Sequence, residues 1–573
     1  MRLACVLNFV FLFFFEFISS FGFRVSDLRR SKMRLYGTIA LYGYIPFVLL
    51  LFALMRNRRH AVIACYVIGV QFLPMDSIKL PILELSKVSA CSVGVMLGIF
   101  LFDFRRLLTF RPRWYDIPML AWCICPFVTS MQNDLGAYDG ASSMATQTLV
   151  WGVPYFVGRI YFTDLPALRE LCIGIFIGAF AYIPFCAYEM KMSPQLHRMV
   201  YGHFQMDFSM SARLGGWRPM VFMQGGIALG MWMCVASMIG IWLWVTKSVR
   251  QLCGIPMGVL VTILFVTAVL CRALSGVLLM MVGLGVLFWV QWLRNALPLY
   301  ILVFSVPIYM YVRASGVWDG QNLIDAAQHF VGEDRAQSLE TRILAENRLT
   351  EKAMDPSEHD PWFGFGKWSP YVVYAPWRVG HMVEKHNADT KETFKYFKDE
   401  CPTDGMWVIT LGTFGLLGVI SATITIQLPI LLARKRLPLA AWTHPLGAPV
   451  AVLAVTLALH MLDNLLNAML NPVFVLAMGG ISALGTRGVT RHAAAETQFM
   501  PPLAPLGPTG PAGPIGGIEG FPVIPGLQMP PTLGIPNGAG RASQRQASMR
   551  ASESRPTPVP ARKIRNTRSE ARN

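Results

Sequence analysis

Three groups of side chains in this sequence could do chemistry. Asp404 ends a polar stretch and is followed at once by Gly405 and an apolar run from Met406. A partly desolvated carboxylate at such a junction can act as a general base. His381 and His386, the latter followed by Asn387, are alternative bases in the same stretch. The second group is Arg218, in Gly215-Gly216-Trp217-Arg218-Pro219, and Arg272, in Cys271-Arg272-Ala273, with Arg213 just upstream. Both stand at the ends of apolar runs, where a guanidinium fork suits bidentate binding of a phosphate or pyrophosphate. The third group is Arg342 and Glu346, four residues apart, with Arg335 seven residues before Arg342, on neighbouring faces of one predicted helix. The plainer readings are capping for Asp404, snorkelling for the arginines and solvation for the histidines. Arg159 is a further intramembrane arginine.

What must position these residues is a membrane domain. The chain is 54% hydrophobic and 14% charged over 573 residues, which excludes a soluble globular protein. Apolar runs predict an all-α polytopic helical protein of about 12–14 transmembrane helices. The predicted spans lie near 35–55, 61–78, 85–103, 115–131, 147–163, 168–190, 219–246, 255–271, 274–293, 297–313, 406–432, 446–468 and 471–486. The formal charge of +17 is not read as nucleic-acid affinity. Basic clusters at Arg56 to Arg59, Arg105 to Arg113, Lys247 to Arg250 and Arg434 to Arg436 instead mark the cytoplasmic flanks of spans.

Alternating the spans from those flanks puts residues 314–404 outside. That loop carries sixteen acidic against ten basic side chains, in keeping with translocation. The organisation is then a doubtful leader at 1–32, a bundle at 33–313, the external loop at 314–404, further spans at 405–486 and a tail at 487–573. Arg24 to Arg34 follow the leader's apolar run on the wrong side for the charge rule, which favours a start at Met33. The tail has 11 Pro and 10 Gly between 501 and 540 and is then basic, so it is expected to be disordered and cytoplasmic.

Within the loop, helical spacing of Ala336, Leu339 and Ile343 predicts an amphipathic helix over 335–354, capped by Asp334. The charged segment 381–400 is expected to be mobile. Asn464, Asn467 and Asn471 at spacings of three and four are expected on one helix face, bonding between helices or lining a cavity. Ten of the eleven cysteines lie in or beside predicted spans or the doubtful leader, and Cys123-x-Cys125 has no ligand company. No phosphate loop, dinucleotide fingerprint or metal-ligand spacing is present, so neither metal nor cofactor is expected.

Two short motifs carry a family resemblance. Pro361-Trp362-Phe363-Gly364-Phe365-Gly366 resembles the Pro-x-Phe-Gly-x-Gly element in the large external loop of O-antigen ligases and polysaccharide polymerases. Phe414-Gly415-Leu416-Leu417-Gly418 resembles the Gly-Leu-Leu-Gly that opens their next span. Many of those proteins carry a His-Asn pair eleven residues before its first glycine. Here Asp404-Gly405 stands at that place. The resemblance covers about 170–485, and 361–418 carries most of it. It implies a metal-independent glycosyltransferase that moves a glycan from a polyprenyl-pyrophosphate donor to a glycan or glycolipid acceptor. The reaction would occur at the outer face of a bacterial plasma membrane, with membrane lipid and no nucleic acid as partners. Arg218 and Arg272 would hold the leaving pyrophosphate, as essential arginines at outer span ends do in the family. Asp404 would take the place of the family's histidine. The rival readings are a flippase for a lipid-linked glycan and an inactive assembly scaffold.

Overall fold

The computed structural model describes residues 30–485, apart from 207, 214, 332, 358, 367–379, 387–392 and 400–404. The doubtful leader, except for residues 30–32, and the tail therefore lie outside the described residues, and so does Asp404. The first half of the chain gives α1 (Arg30–Leu54), α2 (Arg58–Phe72), α3 (Lys87–Phe102), α4 (Ile117–Gln132), α5 (Ala137–Gln147), α6 (Val153–Tyr161) and α7 (Leu165–Met192). Next come α8 (Gly226–Val245), α9 (Met257–Leu270), α10 (Leu274–Leu293) and α11 (Leu297–Ala314). The polar stretch adds α12 (Gln321–Val331) and α13 (Glu333–Ala353), and the last apolar region forms α14 (Met406–Arg436), α15 (Ala448–Asp463) and α16 (Pro472–Ala483).

The fold is mostly helical. Among the described residues, six helices are long and apolar enough to cross a membrane: the Leu35–Leu54 part of α1, then α7, α8, α10, α11 and α14. A chain that enters hydrocarbon must satisfy its own backbone polar groups, and such apolar runs do so as helices. Their starts follow local chemistry. Asp164 accepts the Ala167 N–H at 2.8 Å to open α7, and Ser86 and Ser89 bond each other's backbone N–H to open α3. The outward faces carry large apolar side chains, among them Leu54, Trp292 and Ile301, as a lipid-facing surface requires. At the centre, α15 is buried along its whole apolar length. α16 crosses α6 closely enough that Gly158 lies on the Leu476 carbonyl and Gly479 on that of Tyr155.

α14 is broken at Gly415, whose φ of 64° and ψ of −163° are not helical. The 361–366 turn fills the break. Phe365 N–H donates to the Gly412 carbonyl at 2.8 Å and Gly366 N–H to that of Thr413 at 3.0 Å. In return, Leu416 and Leu417 N–H donate to the carbonyls of Pro361 and Trp362 at 2.9 and 3.1 Å. The two motifs that carry the resemblance are thus joined backbone to backbone. Side chains at Gly364 or Gly415 would collide with the opposing chain.

Candidate functional site

Arg218 and Arg272 are brought together by one small hairpin. Strands β1 (Ala212–Arg213) and β2 (Gly216–Trp217) pair antiparallel, with Arg213 opposite Gly216. Arg218 N–H extends the ladder to the Ser211 carbonyl at 2.7 Å. Its buried side chain then runs across Gly226, the first residue of α8, where any side chain would overlap its Cγ–Cδ–Nε stretch. Arg272 occupies the tight corner between α9 and α10, with φ of 55°. Its guanidinium lies against Gly216, and its neighbour Ala273 packs on Gly230, one turn further along α8.

Around Gly216 the structure therefore gathers the Arg213 backbone, the Arg272 guanidinium and the base of Arg218. The first turn of α8 forms the wall. The N-cap of α8 is Gly225, which has no side chain to cap the first-turn N–H groups. Arg218 laid across the first turn of α8, with the Arg272 guanidinium on Gly216 two residues before it, makes basic surroundings that favour an anion.

Arg342 and Glu346 sit elsewhere, on α13. Glu346 is buried and accepts from Arg313 Nε at 3.1 Å and from the Tyr309 hydroxyl at 2.9 Å. Arg313 also donates to the carbonyls of Ile343 and Trp318, so the end of α11 is locked to the loop helix. Burial pushes the Glu346 carboxyl above its usual range, and Arg313 opposes that shift. Glu346 is an anchor in this arrangement, although it was a substrate-binding candidate by sequence. α13 also begins at Glu333, one residue before the expected Asp334 cap, so Asp334 lies in its first turn.

One turn before Glu346, the half-buried Arg342 acts electrostatically on Asp463. Asp463 Oδ1 accepts from Asn467 Nδ2 at 2.9 Å. Asp463 Oδ2 is buried with no hydrogen-bond partner among the described residues. The expected helical face of asparagines is not formed. α15 ends at Asp463, Asn464 turns back to His460 Nε2 at 3.2 Å, and Asn471 caps α16 by accepting the Val473 N–H. Short polar side chains that bond their own backbone end helices rather than extend them. The carbonyls of Asn464 and Asn467 instead receive the Met406 N–H at 3.0 and 3.2 Å, seating the start of α14 on this bend.

Of the candidate bases, Asp404 and the side chains of His381 and His386 lie outside what is described. His381 and His386 lie at opposite ends of β3 (Gly380–His386), paired with Lys398 and Thr393 of β4 (Thr393–Asp399). A hairpin thus stands in the segment expected to be mobile. For α14 the N-cap is Gly405, with no side-chain cap bond. Arg159, also a sequence candidate, is bound to Asp116 through Nε–Oδ1 at 2.7 Å and Nη2–Oδ2 at 3.1 Å.

Sequence reasoning missed the buried carboxylate Glu189 and gave no separate role to Asp463, which opens the unusually polar stretch Asp463–Pro472. An acidic residue inside an otherwise apolar segment was the available signal in both cases. Among the described residues no group of three or more His, Cys, Asp or Glu side chains could hold a metal ion. No family model matches the chain, and no curated protein matches it.

Proposed function

We propose that the protein is an O-antigen ligase- or polymerase-like glycosyltransferase acting at the outer face of a bacterial plasma membrane. A polyprenyl-pyrophosphate-linked glycan is the donor, and a hydroxyl of a glycan or glycolipid is the acceptor. The single observation that carries the reading is that the Arg272 guanidinium lies on Gly216 while Arg218, two residues further on, runs across Gly226 in the first turn of α8. In the proposed reaction the acceptor oxygen attacks the anomeric carbon while the bond from that carbon to the pyrophosphate oxygen breaks. Negative charge grows on the leaving pyrophosphate, and two guanidinium forks with a helix N-terminus stabilise it there. The acceptor proton goes to Asp404, at the entry to α14. The lipid pyrophosphate departs as the anion, so no metal and no further reactant enters the balance.

The orientation belongs to the proposal. Residues 314–404 lie outside and the tail lies in the cytoplasm, as the basic flanks of the spans imply. A broken helix at membrane depth is also a transporter feature, and Gly415 gives the flippase reading its one supporting observation. The backbone groups around that break are filled by residues 361–366, however, which leaves fewer of them for a substrate. The surface glycan of a deletion strain separates the readings. Missing chain attachment marks a ligase and short chains a polymerase, whereas lipid-linked glycan trapped on the cytoplasmic face marks a flippase.

A further inference from the structure

The residues after Arg218 were expected to begin a membrane helix at 219, yet helix starts only at Gly226. Between them is a shelf whose backbone is gripped almost atom by atom. Met220 and Val221 donate their N–H groups to Glu189 Oε2 at 2.8 and 2.7 Å. The other oxygen of Glu189 accepts the Leu196 N–H at 3.0 Å, which ties the start of the same external segment to its end. The Val221 carbonyl accepts from Gln205 Nε2 at 3.1 Å. Phe222 N–H donates to the Tyr182 hydroxyl at 3.0 Å, and the Phe222 carbonyl accepts from Lys87 Nζ at 3.2 Å. Met223 N–H closes the turn onto the Met220 carbonyl at 3.0 Å.

This degree of control has a local reason. Val221 has φ of 49°, a conformation that a β-branched residue adopts only under strain. Such a residue keeps that shape when its surroundings over-determine it, and here both its N–H and its carbonyl are held. Glu189 is 1% exposed and sits in the last turn of α7, so burying a carboxylate there is costly unless its oxygens are satisfied. Three backbone N–H groups satisfy them, and two belong to the shelf. Only Pro219 separates Arg218 from the gripped residues, and its ring removes one of the remaining backbone freedoms.

We propose that Glu189 is a positioning residue for pyrophosphate binding. By fixing Met220 and Val221 it holds Arg218 across the first turn of α8, in register with Arg272. Glu189 touches no substrate in this role and acts through Arg218. The inference rests on the reading of Arg218 and Arg272 as the pyrophosphate site. A less ordered shelf would leave Arg218 to pay conformational entropy each time an anion binds.

The test uses the full-length protein in nanodiscs with inorganic pyrophosphate as the probe. Calorimetry reads affinity, and hydrogen exchange reads the amides of residues 220–222. Glu189→Ala should speed exchange at Met220 and Val221 while the amides of α15 stay as in the wild type. It should also weaken pyrophosphate binding by about tenfold or more, the scale of losing hydrogen bonds to a charged group. Glu189→Gln keeps one carbonyl oxygen for the shelf and should fall between the two. If Glu189→Ala does not insert, Lys87→Met loosens the shelf from the Phe222 side and should weaken binding in the same direction. Accelerated exchange with unchanged pyrophosphate affinity overturns the positioning role alone. A wild-type protein that does not bind pyrophosphate overturns the donor-site reading and this inference with it.

Discussion

Lysine in place of Arg218 or Arg272 keeps the charge and loses the fork. A snorkelling side chain tolerates that change, whereas a pyrophosphate clamp does not. Arg218→Lys and Arg272→Lys are each expected to lower transfer by roughly 10–100-fold, the range of one or two charge-assisted hydrogen bonds. Membrane abundance should not change. Near-normal product from both variants, compared by quantitative glycan blotting, returns these residues to a structural role.

His197 gives a second residue-level expectation. Its Nε2 accepts the Met75 N–H at 3.3 Å, so its Nδ1 carries the proton toward the His203 carbonyl at 2.8 Å. Burial lowers its pKa from 6.5 to about 4. Stability from the neutral ring is present above 6.5 and is lost as the pH falls toward 4, on the order of 2 kcal/mol by pH 5. Melting in nanodiscs should therefore drop between pH 7.5 and 5, and His197→Gln should flatten the difference. An equal drop in the variant assigns it to other groups. Of these residues, the sequence showed the arginines because each ends an apolar run. It hid Glu189, whose partners are backbone N–H groups 7–32 positions away and leave no pattern of their own.

At the level of elements, most helices were readable from hydropathy alone. The span predicted at 274–293 and the helix Leu274–Leu293 coincide, and the 335–354 prediction became Glu333–Ala353. Hydropathy averages over a window, so it could not see that the 219–246 span opens with a non-helical shelf. Nor could it show that α14 is broken. The motifs at 361–366 and 414–418 were visible separately, but their pairing is a tertiary fact that spacing does not encode.

That pairing makes a sharp prediction. Gly364 has φ of 63° and abuts the Gly412 carbonyl and Gly415 N–H. Gly364→Ala should combine left-handed strain with a backbone collision and cost about 2–4 kcal/mol. The expected sign is release of the loop, seen as rapid proteolysis between α13 and α14 while α8 to α11 remain protected. Resistance equal to the wild type would mean that the turn tolerates a side chain and does not latch the broken helix.

For the whole molecule, the proposed orientation and the proposed chemistry stand together, because an externally facing loop requires cytoplasmic basic flanks. Cys253 is an exposed thiol in the turn between α8 and α9, close to Lys247 and Arg250. In intact cells an impermeant maleimide should leave Cys253 unlabelled and should label Cys401 in the 314–404 segment. Labelling of both from one side rejects the orientation.

Glycosyl transfer from a lipid pyrophosphate, with Arg218 and Arg272 at the leaving group, is the proposed reaction. Its most direct measurement is release of polyprenyl pyrophosphate by the purified protein in nanodiscs. The donor would be the lipid-linked glycan extracted from a deletion strain and the acceptor the glycolipid from the same cells. Release in step with glycan transfer is expected without added metal, and loss of both in Arg218→Lys and Arg272→Lys. Movement of intact lipid-linked glycan across the bilayer without release, or release unaffected by both substitutions, would contradict it.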